Sequence, residues 1–416
     1  VAEAHRREWA FVLAATLRVA RDIDVAEECV QDAYTRALAS WRTDGIPANP
    51  GAWLTTVSRR RAIDLARRRD LGTRVQHLLV TDDVIDGPGA PEVTDDRLRL
   101  IFTCCHPSLD LDAQVALALR LLCGLSTAEV AKAFLVKEAT MAARLTRAKK
   151  KIALARIPYR VPEPEEMRSR IDAVLTVIHL LFTTGHTAPV GGSLTRDDLI
   201  ERSLDLARML HALLPHDPEV TGLLALVVIT DSRRHARIGG DGELVTLEYQ
   251  DRSQWVHESI DEGLSLVSEA VRRGRPGRFT LMAALSAVHA SSPRWDETDW
   301  REIVGLYDLL MESWPSPVVA LNRAVAVGFA DGPEAGLAAL EHLETEPQLV
   351  NYPYFAVARA ECFLRLGDTR RARETFALAV QLTENSIERE HLNARMSSLL
   401  SDASVDPGSP VDSPGT

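Results

Sequence analysis

The chain has 416 residues, 46% hydrophobic and 26% charged, with a formal net charge of −11, which is enough for two to four domains with buried cores. No apolar run approaches the roughly 18 residues of a membrane span, and the start lacks a signal peptide's basic-then-apolar order and small-residue cleavage site. The scattered, odd set Cys29, Cys104, Cys105, Cys123 and Cys362 argues against a disulfide framework and for a cytoplasmic protein.

Helical spacing dominates from the first residue. Residues 1–20 and 25–41 read as two helices, "GIPANPG" (45–51) as a loop, and Ala52 to about Arg69 as a third helix. In the second helix Ala26, Val30, Ala33 and Ala37 form a stripe for burial, leaving Glu28, Gln31, Asp32 and Thr35 outward. On the third, Arg60–Asp64 and Asp64–Arg68 are expected to pair at i, i+4. The first domain is placed at 1–75. Residues 76–96 contain "TDDVIDGPGAPEVTDD", acidic and rich in Pro and Gly, which reads as a flexible linker. A second helical block, 97–157, ends at the prolines of "IPYRVPEPEE".

Charge is divided unevenly along the chain. Residues 97–160 carry 12 basic and 4 acidic residues, whereas everything after 160 has a net charge of −16. All five lysines lie within "LSTAEVAKAFLVKEATMAARLTRAKKKI" (125–152). A basic head on an acidic body suggests a polyanion-binding module attached to a part with a different task. Ser126-Thr127-Ala128-Glu129 is a capping box that starts a short apolar helix. After "LVK" turns the chain, a second helix starts near Glu138. Met141, Leu145 and Ala148 share its inner face, while Thr140, Arg144, Arg147 and Lys151 share another. Short helix, tight turn and basic second helix make a helix-turn-helix, whose second helix enters the DNA major groove. There Arg can pair with guanine and Lys can neutralise phosphate.

Residues 165–400 read as helix after helix, with repeats like the tetratricopeptide (TPR) motif near 315–385. The clearest has Gly367, Ala372, Phe376 and Ala379 at the repeat's offsets. The exception is "RIGGDGELVTLEYQDR", where a Gly-rich turn precedes an alternating stretch and predicts a small hairpin. Residues 401–416 have the composition of a disordered tail. The fold class is therefore mainly all-α.

The 125–152 stretch resembles region 4 of the extracytoplasmic-function (ECF) sigma factors, through "EVA" and "TMAARLTRAKK". It departs from that pattern at Leu135, where glycine is usual, at Lys137 in place of the Ser/Thr cap, and at Ala142 in place of Lys. "DIDVAEECVQDAYTRAL" resembles region 2.2. "NPGAWLTTVSRRRAIDLARRR" resembles regions 2.3 to 2.4, with Arg60 where Asn is common. Beyond Pro158 the chain resembles the helical, TPR-ended extension of one ECF subgroup.

The resemblance implies a sigma factor with no catalytic residues, metal or cofactor. Glu138, Thr140, Arg144, Arg147, Lys149, Lys150 and Lys151 would then serve the −35 promoter element, and Arg59, Arg60, Arg67 and Arg68 the −10 element. Glu28, Gln31, Asp32 and Thr35 would face the β′ clamp of core RNA polymerase. Its partners would be that core, promoter DNA and a protein at the TPR-like domain, with no membrane. Two rivals are a helix-turn-helix regulator with a helical sensor domain, and an enzyme seated in 165–300 beneath a DNA-binding head. The first leaves the 2.2-like helix without a partner. The second finds no G-x-S-x-G, phosphate loop or H-E-x-x-H. "FTCCHPSL" places Cys104, Cys105 and His106 in a row, but without a second Cys/His pair at zinc-site spacing it reads as buried packing. The cluster Asp231, Arg233, Arg234, His235, Arg237, Asp241, Asp251 and Arg252 reads as ion pairs pinning the hairpin. His179 and His186 read as structural histidines.

Overall fold

A computed structural model describes residues 1–70, 96–134, 136–186 and 195–402. The linker other than Asp96, Leu135 and the tail from 403 on lie outside the described residues. Two compact units account for the rest: one of Val1–Gly185 with Arg196–Leu213, the other holding His186, Thr195 and what is described from Leu214 on.

The first unit begins with α1 (Ala2–Ala20), α2 (Ile23–Thr43) and α3 (Pro50–Asp70). Arg21 ends α1 in the left-handed region, and the next residue, Asp22, caps α2 by accepting from the Val25 amide at 3.0 Å. Asn49 caps α3 through the Ala52 amide at 2.9 Å, with Pro50 suited to the first turn. The predicted stripe Ala26, Val30, Ala33 and Ala37 is fully buried, together with Trp9 and Leu13 of α1 and Leu54 of α3.

Four helices follow: α4 (Asp96–Cys104), α5 (Leu111–Leu121), α6 (Thr127–Ala133) and α7 (Glu138–Leu154). The capping box at α6 forms as expected. Ser126 Oγ accepts from the Glu129 amide at 3.2 Å, and Glu129 Oε2 accepts from the Ser126 amide at 2.7 Å. The unit also takes in α8 (Pro164–His186, through Gly185) and α9 (Asp197–Leu213), so its compactness extends past the prolines at 158–164.

The second unit is built on α10 (Pro218–Asp231), in which every residue from Val220 to Ile229 is buried. A helix apolar on all sides must be wrapped by others. Here α11 (His257–Arg272) and α12 (Arg278–Ser291) do so. Gly222 permits the approach, since a Cβ there would lie 2.6 Å from the Thr280 backbone nitrogen. Gly277 starts α12 without a side-chain cap, and Glu219 of α10 replaces it by accepting from the Phe279 and Thr280 amides at 2.7 and 3.1 Å.

Between α10 and α11 the expected hairpin shrinks to one antiparallel bridge, Ile238 to Leu244, and Leu247–Tyr249 is a 3₁₀ turn. One bridged residue per side gives a strand too little to pair with. The chain continues as α13 (Trp300–Ser313), α14 (Pro317–Ala330), α15 (Pro333–Glu341), α16 (Pro353–Arg365), α17 (Thr369–Leu382) and α18 (Ser386–Asp402). In the predicted repeat, Ala372, Phe376 and Ala379 are fully buried against Ala356, Ala360 and Phe363 of α16, and Gly367 makes the turn at φ +76°.

Candidate nucleic-acid interface

Helix α7 is anchored by the buried residues Met141, Leu145, Ala148 and Ile152. That fixes what faces outward: Glu138, Thr140, Arg147, Lys150 and Lys151 are exposed. Arg147 Nε reaches back only to the Ala143 carbonyl at 3.3 Å, so its cation stays at the surface. Arg144 is half-buried; Nη1 donates to Asp112 Oδ2 at 3.1 Å and the guanidinium lies 5.4 Å from the Phe134 ring.

Lys149 differs from its neighbours. Four residues after Leu145 and three before Ile152, it falls beside the inner stripe, and its side chain is only 16% exposed. Its ammonium donates to Asp24 Oδ1 at 2.9 Å and to Glu27 Oε2, both on α2. Burial alone would lower its pKa, but these carboxylates outweigh that and raise it. The expectation that it sits on the DNA-facing side with Lys150 and Lys151 is corrected for this structure.

The α2 face is equally specific. Glu28, Gln31 and Thr35 are exposed, Thr35 bonding its own helix at the Gln31 carbonyl. Asp32 is half-exposed and forms an ion pair with Arg61, its Oδ2 3.1 Å from Nε. That bond crosses from α3, and among the described residues Asp64 forms neither expected pair with Arg60 and Arg68. An exposed i, i+4 pair stabilises by only about 0.3–0.5 kcal/mol, too little to hold two long side chains in one geometry against solvent. Arg60, Arg67 and Arg68 are left exposed, with Arg59 half-buried.

Sequence reasoning missed Glu27. It is 5% exposed and its carboxylate takes Arg120 Nη2 at 3.0 Å as well as Lys149. The signal was present: Ile23, Glu27, Val30 and Tyr34 repeat at i+4, i+3, i+4, so a carboxylate sits in an otherwise apolar stripe.

Cys104 and Cys105 are buried; burial pushes their thiols well above the ordinary range and that of Cys123 up to about 12. In the 231–252 cluster only Arg234 makes an ion pair, with Asp231 at 2.7 Å. Arg237 donates to the His186 carbonyl, and Arg252 to the carbonyls of His289 and Ser292 at 2.7 and 2.6 Å. The expectation of ion pairs therefore holds for Arg234, while main-chain carbonyls take Arg237 and Arg252. Burial, with Arg237 beside it, holds His186 down at about 3.

Two matched blocks coincide with this geometry. Residues 5–71 match sigma-70 region 2 and residues 99–152 match sigma-70 region 4, while residues 170–271 match a family of unknown function, DUF6596. The helical head is thus that of a sigma-70-type factor. An uncharacterized protein of Rhizobium meliloti (strain 1021) is 40% identical over 394 residues, 93% of each chain. The ECF RNA polymerase sigma factor SigK of Mycobacterium ulcerans (strain Agy99) is 30% identical over 139 residues, 31% of this chain and 70% of that one. The chain belongs to the ECF RNA polymerase sigma factors, which direct bacterial RNA polymerase to promoters to initiate transcription, and it carries a long helical C-terminal extension. No helix among the described residues is long and apolar enough to cross a membrane.

Proposed function

We propose that α7 reads the −35 element through Thr140, Arg144 and Arg147, with Lys150 and Lys151 on phosphates, and that Glu138 lies at the groove-facing start of the helix. The observation that supports this most is the exposed cationic face opposite the buried Met141–Ile152 stripe. Arg59, Arg60, Arg67 and Arg68 on α3 act around −10. The outward face of α2, Glu28, Gln31, Asp32 and Thr35, meets the β′ clamp of core polymerase. Transcription from a genomic library by core polymerase plus this protein tests the reading. One enriched bipartite motif is expected, and Asp32→Arg with Gln31→Ala should reduce co-purification with core. A chain that binds DNA but never recruits core would favour the helix-turn-helix regulator instead.

The second unit works as a regulatory, non-enzymatic domain whose TPR-like helices present a groove to a protein partner in the cytoplasm. Support comes from the packed repeat around Phe376 and from the net charge of −13 carried by the chain after Leu213, 18 basic against 31 acidic residues. Ending the chain after Leu213 leaves the first compact unit whole. That truncation should change promoter-specific transcription, and equal transcription by both forms, with and without cell extract, would refute a regulatory role.

A further inference from the structure

Between α10 and α11 three arginines gather with no carboxylate paired to them. Arg233 lies just past the end of α10, Arg237 closes the 3₁₀ turn His235–Arg237, and Arg252 opens the turn Arg252–Gln254. The Val256 amide donates to the Ser232 carbonyl at 2.9 Å and ties the second turn to the end of α10. Burial, then the charges of Arg237 and Arg252, bring the pKa of Arg233 down to about 10. Burial, then Arg233 and Arg252, hold His289 of α12 down at about 4, so its ring is neutral at physiological pH. The acids next to these arginines in sequence are engaged elsewhere. Asp231 pairs with Arg234 at 2.7 Å, and Asp251 accepts from the Ser253 amide and hydroxyl at 2.9 and 2.7 Å. Arg237 also feels Tyr354 and Glu388, but those two bond each other at 2.9 Å.

Most of the donors in this patch are unused. A guanidinium has five N–H groups and no acceptor. Arg237 and Arg252 engage only Nη1, Arg252 on main-chain carbonyls and Arg237 on the carbonyl and ring of His186. Arg233 forms no ion pair or side-chain hydrogen bond among the described residues, and it is half-buried, so a small ion can reach it. The Arg252 guanidinium lies 4.5 Å from the centre of the Trp255 ring, which is 5% exposed. Arg252 Nη2 and Trp255 Nε1 are buried donors without an acceptor, and His289 Nδ1 is buried without a partner. Unpaired buried donors and crowded like charges both cost stability, and a ligand rich in acceptors and negative charge removes both costs.

We propose that Arg233, Arg237 and Arg252 form an oxyanion site, which takes the phosphoryl group of a small phosphorylated molecule. A phosphoryl group offers three strong acceptor oxygens and close to two negative charges, enough for guanidinium forks approaching from two separate turns. A lone carboxylate offers two oxygens and one charge. The Nε–Nη2 edges of Arg237 and Arg252 serve the anion, so binding breaks none of the carbonyl bonds that hold the turns. Nucleic acid fits less well, because the net charge of −13 after Leu213 repels a polyanion more strongly than a single dianion. The site adds a small-molecule input to the second unit, and it stands or falls independently of the promoter-reading roles.

Titrating the full chain with inorganic phosphate and with adenosine monophosphate, at an ionic strength fixed with chloride, tests this through hydrogen exchange of peptides from residues 232–256. Saturable slowing of exchange at millimolar phosphate or below is expected. A tighter response to the nucleotide would assign an organic phosphate, and an equal one free phosphate. Arg233→Met removes a cation that bonds nothing among the described residues. It should weaken phosphate binding about tenfold or more, the size of a lost hydrogen bond to a charged group. It should also slow exchange in the ligand-free protein, because repulsion from Arg237 and Arg252 is relieved. An arginine that merely pins the turns predicts the opposite. Arg233→Lys keeps the charge without the fork and should bind with intermediate affinity, which decides the matter if Arg233→Met fails to fold. No saturable response to either anion, unaltered affinity in a folded Arg233 variant, or faster exchange in folded, ligand-free Arg233→Met would each overturn the site.

Discussion

Gly124→Ala, measured against Gly45→Ala, tests whether region 4 packs on region 2 in solution. Both glycines are left-handed, at φ +69° and +85°. Alanine in that conformation costs about 1–2 kcal/mol at either site. The surroundings differ. At Gly45 an added Cβ meets nothing within 4 Å, whereas at Gly124 it falls 2.9 Å from Trp9 Cγ, and that ring is 2% exposed. The clash is with the root of a rigid indole, so either Trp9 or the turn must move, and overpacking of this kind adds about 1–3 kcal/mol. Gly45→Ala should therefore destabilise the head by about 1–2 kcal/mol and Gly124→Ala by about 2–5 kcal/mol. Native-state hydrogen exchange of peptides from α1 and α5 reads the difference without assuming that both units unfold together. If the two substitutions differ by less than about 0.5 kcal/mol, Trp9 does not rest on the Gly124 turn and the packing described between α1 and the α5–α6 turn is wrong.

Arg147→Ala should weaken promoter binding by about 1–3 kcal/mol and lower the salt slope by up to about 1, measured by anisotropy on a −35 duplex; an unchanged footprint would misplace α7. Phe376→Ala, emptying a fully buried site among alanines, should destabilise the second unit by about 3–5 kcal/mol and leave exchange in α1–α3 unaffected. At pH 8 the five buried cysteines should resist alkylation until the protein is unfolded, because burial raises the thiol pKa values of Cys104, Cys105 and Cys123 and keeps them protonated; rapid labelling of Cys104 or Cys105 in native protein would contradict this.

What could be read from the sequence was whatever depends on near neighbours. The capping box at Ser126 and Glu129 and the alanine stripe of α2 are local patterns, and both formed. The Phe376 repeat was legible because its spacing encodes which residues face the partner helix. Bonds chosen by tertiary packing were not. Asp64 had Arg60 and Arg68 at helical spacing and pairs with neither, and the ion pair that does form joins Arg61 to Asp32 on another helix. Glu27 looked like a surface acid until Arg120 and Lys149, about 100 residues away, were brought to it. "ELVTLEY" alternates like a strand, but alternation needs a partner ladder, and only Ile238 and Leu244 supply one. The DNA-facing side of α7 was half legible: periodicity separates inner from outer, while the inward turn of Lys149 required the position of α2.

The wrapping of α10 bears on how the protein is made. Its run Val220–Ile229, apolar and rich in β-branched residues, is the kind of segment that self-associates when left uncovered. The helices that cover it, α11 and α12, end at Ser291, some 60 residues after α10 ends. At about 5–20 residues per second, the ribosome leaves that segment unsheltered for about 3–12 s in each round of synthesis. A stop codon or proteolytic cut within that window yields a sticky fragment, whereas one after Leu213 ends before the run begins. Chaperone dependence in the cell should accordingly follow the second half of the chain, and slowing translation between α10 and α12 should lower the yield of folded protein more than slowing it anywhere in the head.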